Sequence, residues 1–136
     1  MISFNYETDF QLQDEEAISV WISKVIQSEL HNEGEINYIF CDDDYLHKLN
    51  VEFLNHDTLT DIISFDYSVG KELHGDIYIS VERVRENTEV FDATFQDELS
   101  RVMVHGVLHF CGYKDKTEAE KSEMRRMEDR YIAQLK

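Results

Sequence analysis

The sequence predicts an α+β fold, a small mixed sheet of about four strands packed by about five helices on one or both faces. Three observations carry that prediction. Short β-rich runs alternate with longer stretches of helical period, in the order strand, helix, strand, helix, two strands and then three helices. There is no proline and only five glycines, so nothing reads as a linker or low-complexity tract. The 136 residues suit a single domain, 1–136, that can bury most of its apolar surface without staples.

Residues 2–6 alternate apolar and polar side chains and read as a strand. Asp14 opens a helix over 14–31, with Ile18, Trp21, Ile22, Val25, Ile26 and Leu30 on one broad face and Asp14, Glu15 and Glu16 at its positive end. Residues 35–41 form a strand with Ile36, Tyr38 and Phe40 on one side. Asp42, Asp43 and Asp44 then precede the periodic Tyr45, Leu46, Leu49 and Phe53, so the triplet reads as the N-cap and first turn of a helix. A calcium loop would need oxygens at alternate positions and a following Gly and Glu, which are missing. Residues 60–66 and 75–80 are β-rich and joined by a loop with Gly70 and Lys71, as in a hairpin or at least neighbouring strands.

Ser80 begins a further helix with Val81, Val84, Thr88 and Phe91 in period. Residues 94–110 form the next, in which Leu99, Val102, Met103, Gly106 and Phe110 supply the packed stripe. A mid-helix glycine costs about 1 kcal/mol against alanine, and a close approach by a neighbouring backbone or a metal ligand would explain Gly106. Thr117 and Glu120 have the spacing of a capping box, so a last helix starts at Thr117 and carries Met124, Met127, Tyr131 and Leu135 toward the core.

The net charge of −16 argues against a protein that simply coats nucleic acid, because phosphate neutralisation needs clustered Lys and Arg. The charge is unevenly spread. Residues 1–100 hold five basic and 23 acidic side chains, whereas 101–136 hold eight basic and six acidic. Lys114, Lys116, Lys121, Arg125 and Arg126 in that last third could guide a phosphate-bearing substrate, or could equally offset helix dipoles and face water. The N-terminus lacks a basic region followed by an apolar core, and no window approaches 18 consecutive apolar residues. Secretion and membrane spanning are therefore not expected, and the cytoplasm is. Cys41 and Cys111 are too few for a disulfide framework and read as small apolar thiols.

The stretch that carries chemistry runs from His105 to Asp115. Residues four apart on a helix share a face, so His105 and His109 can aim two imidazoles at one point. Six histidines would produce such a pair by chance in roughly one chain in five of this composition, so the pair alone is weak. Gly112, three residues on, can end the helix in a left-handed turn, after which Asp115 could swing in as a third ligand. Three protein ligands leave the fourth position of a tetrahedral zinc ion to water, the arrangement of a catalytic site. Cys111 points away from both histidines on a helix and is not expected to join them. Glu is absent from its usual place in the His-Glu-x-x-His of zinc peptidases, which argues against an ordinary peptidase.

The string His105, Gly106, Leu108, His109, Gly112 and Tyr113 resembles, in register, the His-Gly-x-Leu-His-Leu-x-Gly-Tyr-Asp-His signature of the YbeY family, zinc-dependent endoribonucleases of ribosomal RNA maturation. Phe110 stands for a Leu, Lys114 for the usual Asp, and Asp115 for the usual third His. Residues 60–65 and 75–80 are similar to two further family segments, Thr-Asp/Asn-Val-Leu-Ser-Phe and Gly-Asp-Ile-x-Ile-Ser. Leu54 occupies a place where the family usually has Arg, so any phosphate contact that the resemblance implies there must be made otherwise or less well.

The resemblance implies a zincin-like metal helix holding Zn2+ through His105, His109 and Asp115, the two histidines acting through zinc-bound water. It implies cleavage of single-stranded or ribosomal RNA in maturation of the 3′ end of 16S rRNA and in ribosome quality control, with the small ribosomal subunit and its assembly proteins as partners. Lys114, Lys116 and Arg125 are the candidate substrate-binding residues. Two other readings stay open: a metal-dependent hydrolase of peptides or amides with Asp61 or Asp76 as base, and a non-catalytic ribosome-assembly factor whose metal only pins the last helix. Among the other histidines, His31 and His47 read as solvated, while His56 and His74 are weaker candidates for the cleft.

Overall fold

The computed structural model describes residues 1–54 and 60–135. Its elements run β1 (Ile2–Tyr6), α1 (Glu15–Ser28), β2 (Asn32–Cys41), α2 (Asp43–Leu54), β3 (Ile62–Asp66), β4 (Glu72–Ser80), α3 (Val81–Phe91), α4 (Phe95–Phe110) and α5 (Glu118–Leu135). The four strands form one mixed sheet in the order β1-β2-β4-β3. β1 and β4 lie parallel to β2, and β3 is an antiparallel edge strand with Ile62 opposite Ile79 and Ser64 opposite Ile77. The expected α+β class, strand number and helix number are all observed among the described residues.

Strand alternation divides the sheet into two faces. Ile36, Tyr38 and Phe40 of β2 and Leu73, Ile77 and Ile79 of β4 are buried in one cluster with Trp21, Ile22, Val25 and Ile26 of α1, Leu99, Met103 and Val107 of α4, and Met124, Met127 and Tyr131 of α5. Full burial of an aliphatic side chain contributes roughly 1.5–3 kcal/mol, so this cluster is the main anchor for α4. The opposite face carries a smaller cluster of Cys41, Leu46 and Ile63 under α2. Tyr45 and Phe53, which share the periodic stripe of α2, remain 38% and 60% exposed because the helix covers only part of that face.

Several boundaries differ from expectation. α1 stops at Ser28, three residues short of 31. Leu30 takes a left-handed conformation at φ 60°, its N–H reaching Gln27 O and the His31 N–H reaching Ile26 O. This is a Schellman turn built without glycine, so nothing in the composition announced it. β2 and β4 begin three residues early, because Asn32 and Glu33 pair with Glu72 and Leu73 across a bulge between Glu33 and Ile36. Gly106 is explained by neither a backbone nor a ligand. A Cβ there would sit 3.0 Å from Ile77 Cδ1 and 3.2 Å from Ile62 Cδ1, so the glycine seats α4 directly on the side chains of β4 and β3.

Candidate metal centre

α4 begins at Thr94, whose hydroxyl accepts from Asp97 N at 3.1 Å. The stripe Leu99, Val102, Met103, Gly106 and Phe110 is buried, which turns Arg101, His105 and His109, one turn apart each, toward the free edge of β3 and the wall of α5. The helix ends in a second Schellman turn. Gly112 lies at φ 106°, its N–H bonds His109 O at 3.0 Å, and Tyr113 N bonds Leu108 O at 3.1 Å. Beyond it Tyr113 and Asp115 turn inward while Lys114 and Lys116 turn out to solvent, the alternation of an extended segment.

The turn brings Asp115 to the histidines. His105 Nε2 and His109 Nε2 are 3.0 Å apart, and Asp115 Oδ2 lies 3.2 Å from the first and 3.4 Å from the second. Ligands about 2.0–2.1 Å from a tetrahedral zinc ion stand about 3.3 Å from one another. The triangle therefore has the size of one face of such a site. Two imidazoles with one carboxylate also suit zinc or a neighbouring transition metal better than magnesium or calcium, which prefer oxygen alone. Among the described residues no other group of three potential ligands converges in this way. Cys111 stays outside it, with burial pushing its thiol up to about 12, helped by Glu29 and Asp66.

The triangle opens into a cleft whose walls are Thr60, Asp61, Ile62 and Ser64 on one side and Lys121, Met124, Arg125 and Glu128 of α5 on the other, with Glu98, Arg101 and Val102 of α4 below the histidines. Burial raises the Asp61 carboxyl above its ordinary value, against the pull of His105. Burial raises Glu98 likewise, opposed by Arg101. For His105 burial is the largest influence and works against the charged ring, but the hydrogen bond and charge of Glu128, followed by Asp115 and Asp61, outweigh it and raise the value overall.

Of the candidate phosphate contacts, Lys121 and Arg125 line the cleft, one turn apart on α5, whereas Lys114 and Lys116 do not. Of the two candidate bases, Asp61 lines it and Asp76 does not; Asp76 instead accepts from Asn37 Nδ2 at 3.0 Å on β4. His74 is also elsewhere, its Nδ1 accepting from Glu35 N at 3.1 Å, and His31 contacts Glu29 O at 2.7 Å. His56 lies outside the described residues. Leu54 closes α2 and is 42% exposed, away from the cleft lining.

Sequence reasoning passed over Glu128, Arg101 and Glu98. Arg101 was within reach, since it precedes His105 by one turn on the same face. Glu128 had a fainter signal, a carboxylate at helical spacing within the apolar stripe of Met124, Met127 and Tyr131.

An α+β fold whose edge strand and two last helices enclose a His-His-Asp triangle defines a class of protein built around a metal-type cleft. The sequence comparisons give the family. The family model described as Endoribonuclease YbeY matches residues 3–136, and this chain belongs to the YbeY endoribonuclease family. It is 64% identical over 133 residues to a protein of Flavobacterium johnsoniae named Endoribonuclease YbeY, covering 98% of this chain and 96% of that one. A relative of the same name from Christiangramia forsetii is 57% identical over 132 residues, covering 97% and 92% of the two chains. A solution structure from Thermotoga maritima superposes with a TM-score of 0.73 at 26% identity, over 99% of this chain and 89% of that one.

Proposed function

We propose that this protein is a zinc-dependent, single-strand-specific endoribonuclease of ribosomal RNA maturation, acting in the cytoplasm on the 3′ end of 16S rRNA and in ribosome quality control, with the small subunit and its assembly proteins as partners. One observation carries the reading: in a member of this family, three atoms able to act as ligands, 3.0–3.4 Å apart, face a cleft whose lining includes Arg101, Lys121 and Arg125. His105, His109 and Asp115 would hold the metal. When bound, zinc supplies a Lewis acid that polarises a phosphoryl oxygen and acidifies water.

The remaining work falls to the chain. Arg125 and Lys121 stand where they can hold a phosphate, in place of the arginine that Leu54 replaces. Lys114 and Lys116, exposed on either side of Asp115, are placed to meet the phosphates of a strand outside the cleft. Asp61, whose carboxyl is raised by burial, is positioned in the cleft to exchange a proton with a reacting oxygen. No helix among the described residues is long and apolar enough to cross a membrane, which agrees with a substrate met in solution.

Metal content and cleavage of single-stranded RNA, measured in the wild type and in His109→Ala, test the proposal. About one zinc per chain and a loss on the order of 100-fold or more in cleavage are expected. A metal-free wild type, or an unchanged rate in the variant, would remove it. The placement of Asp61 also keeps a peptide- or amide-directed hydrolase in view, and a panel of peptide substrates run beside the RNA separates the two.

A further inference from the structure

The carboxylate of Glu128 has no place in the ligand triangle, yet it is 5% exposed, inside the stripe of Met124, Met127, Tyr131 and Ile132 by which α5 meets the core. A carboxylate so placed needs partners for both oxygens. It has them. Oε1 accepts from Arg101 Nη1 at 3.0 Å, and Oε2 lies 2.6 Å from Nδ1 of His105. Arg101 reaches with its other nitrogen to Asp129 Oδ1 at 2.7 Å, so one guanidinium spans two successive carboxylates of α5.

An ionised carboxylate can only accept, so the short contact requires the proton to sit on Nδ1 of His105. In the neutral ring that leaves Nε2 bare, and Nε2 is the nitrogen facing His109 and Asp115. His109 lacks the same support. Its Nε2 contacts are with His105 and Asp115, and no hydrogen bond to its Nδ1 is found among the described residues. One imidazole is held in tautomer and rotation through its far nitrogen by a carboxylate. Ligand histidines oriented through a carboxylate lose metal affinity when that carboxylate is removed, typically 10–100-fold.

We infer that Glu128, braced by Arg101, is a positioning residue that fixes which nitrogen of His105 faces the metal point and thereby sets the affinity of the site for zinc. The inference rests on the metal reading of the preceding section and goes beyond it by making α5 part of the site. Zinc binding and the docking of α5 are then one coupled event, since the side chain that orients the ligand also joins α5 to α4.

The test uses the full chain with Glu128→Gln, which keeps the shape, and Glu128→Met, which removes the acceptor and leaves an apolar side chain in an apolar stripe. Zinc affinity is read by competition with a chromogenic chelator, and the His105 tautomer in metal-free protein by nitrogen-15 NMR. Affinity should fall about 10–100-fold for Glu128→Met and less for Glu128→Gln, with His105 in the wild type carrying its proton on Nδ1 and in Glu128→Met losing that preference. Wild-type affinity in a Glu128→Met protein that still melts cooperatively would overturn the inference. So would a neutral His105 ring with its proton on Nε2 instead of Nδ1, read in the metal-free wild type at a pH high enough to deprotonate the imidazolium, a result that needs no variant and stands even if Glu128→Met does not fold. A wild type that binds no zinc would instead bring down the metal reading, while the tautomer would still judge the Glu128 contact by itself.

Discussion

Arg83 on α3 grips Asp43 of α2 at 2.9 Å, and Ser80 Oγ donates to the other oxygen of the same carboxylate at 2.7 Å. Arg101 on α4 grips Glu128 of α5 at 3.0 Å, and the other oxygen of that carboxylate meets His105. Both are arginine bridges that lock one helix to another, and each carboxylate has both oxygens occupied. The difference lies in the second partner. The serine hydroxyl, besides donating, accepts from Arg83 N at 3.2 Å as the N-cap of α3, so the Asp43 bridge and its partners serve only to hold two helix starts together. An imidazole has a second nitrogen on its far side, so the Glu128 bridge also orients the His105 ring that faces His109 and Asp115. Burial differs too, with side chains 22% and 19% exposed in the first bridge and 18% and 6% in the second. An ordinary device for joining helices enters a site when the group on its free oxygen has another end.

The sharpest way to break this comparison is to remove each arginine in turn. Arg101→Ala strips the counter-charge from a buried carboxylate and should cost about 3 kcal/mol in urea unfolding of the metal-free protein, with weaker zinc binding as well. Equal zinc affinity in the variant would reduce the second bridge to the status of the first. Arg83→Ala should cost less, about 1.5 kcal/mol, because Asp43 is closer to water and Arg83 Nε is itself buried without a hydrogen-bond partner among the described residues. Its zinc affinity should match the wild type, and a large drop would show that the two bridges are not separable.

A third link, with no arginine in it, gives the smallest effect. Tyr113, just past the Gly112 turn, donates to Glu29 at 2.7 Å, and Tyr131 of α5 donates to the same carboxylate. Tyr113→Phe should cost about 1 kcal/mol near neutral pH. Burial, then the hydrogen bond to Glu29, pushes the Tyr113 hydroxyl up to about 12 from an ordinary value near 10. The folded form therefore keeps a proton that the unfolded chain releases first, so the stability it contributes is present below pH 10 and is lost as pH rises toward 12. Denaturation midpoints across that window should decline less steeply in Tyr113→Phe than in the wild type, and parallel declines would mean that this hydroxyl is not the group responsible.

The two Schellman turns show where reading the sequence succeeds. The turn after α4 places Gly112, and the turn after α1 places Leu30, at positive φ with the same pair of hydrogen bonds, yet only the first has the residue that adopts positive φ without penalty. The first was legible and the second was not. Thr117 and Glu120 do form the reciprocal capping bonds, at 3.1 and 2.9 Å, and Asp42 caps α2 by accepting from Tyr45 N at 2.8 Å. The convergence of His105 and His109 follows from helical pitch alone. All of these involve residues within a few positions of each other, where backbone geometry leaves little choice.

What the chain order could not state is which remote segment would face which. The sheet order β1-β2-β4-β3, the cleft between β3 and α5, and the choice of Lys121 and Arg125 over Lys114 and Lys116 as its lining depend on how helices seat on the sheet. Glu128 meets His105 across 23 residues, a contact created by packing the last helix against α4. By itself the sequence determined the local elements, their caps and the pair of imidazoles on one helix face, because short-range hydrogen bonding and pitch act along the chain. Only the tertiary structure decided which carboxylate supports a cleft imidazole and which merely solvates a surface, because that depends on burial, and burial is a property of segments brought together from far apart.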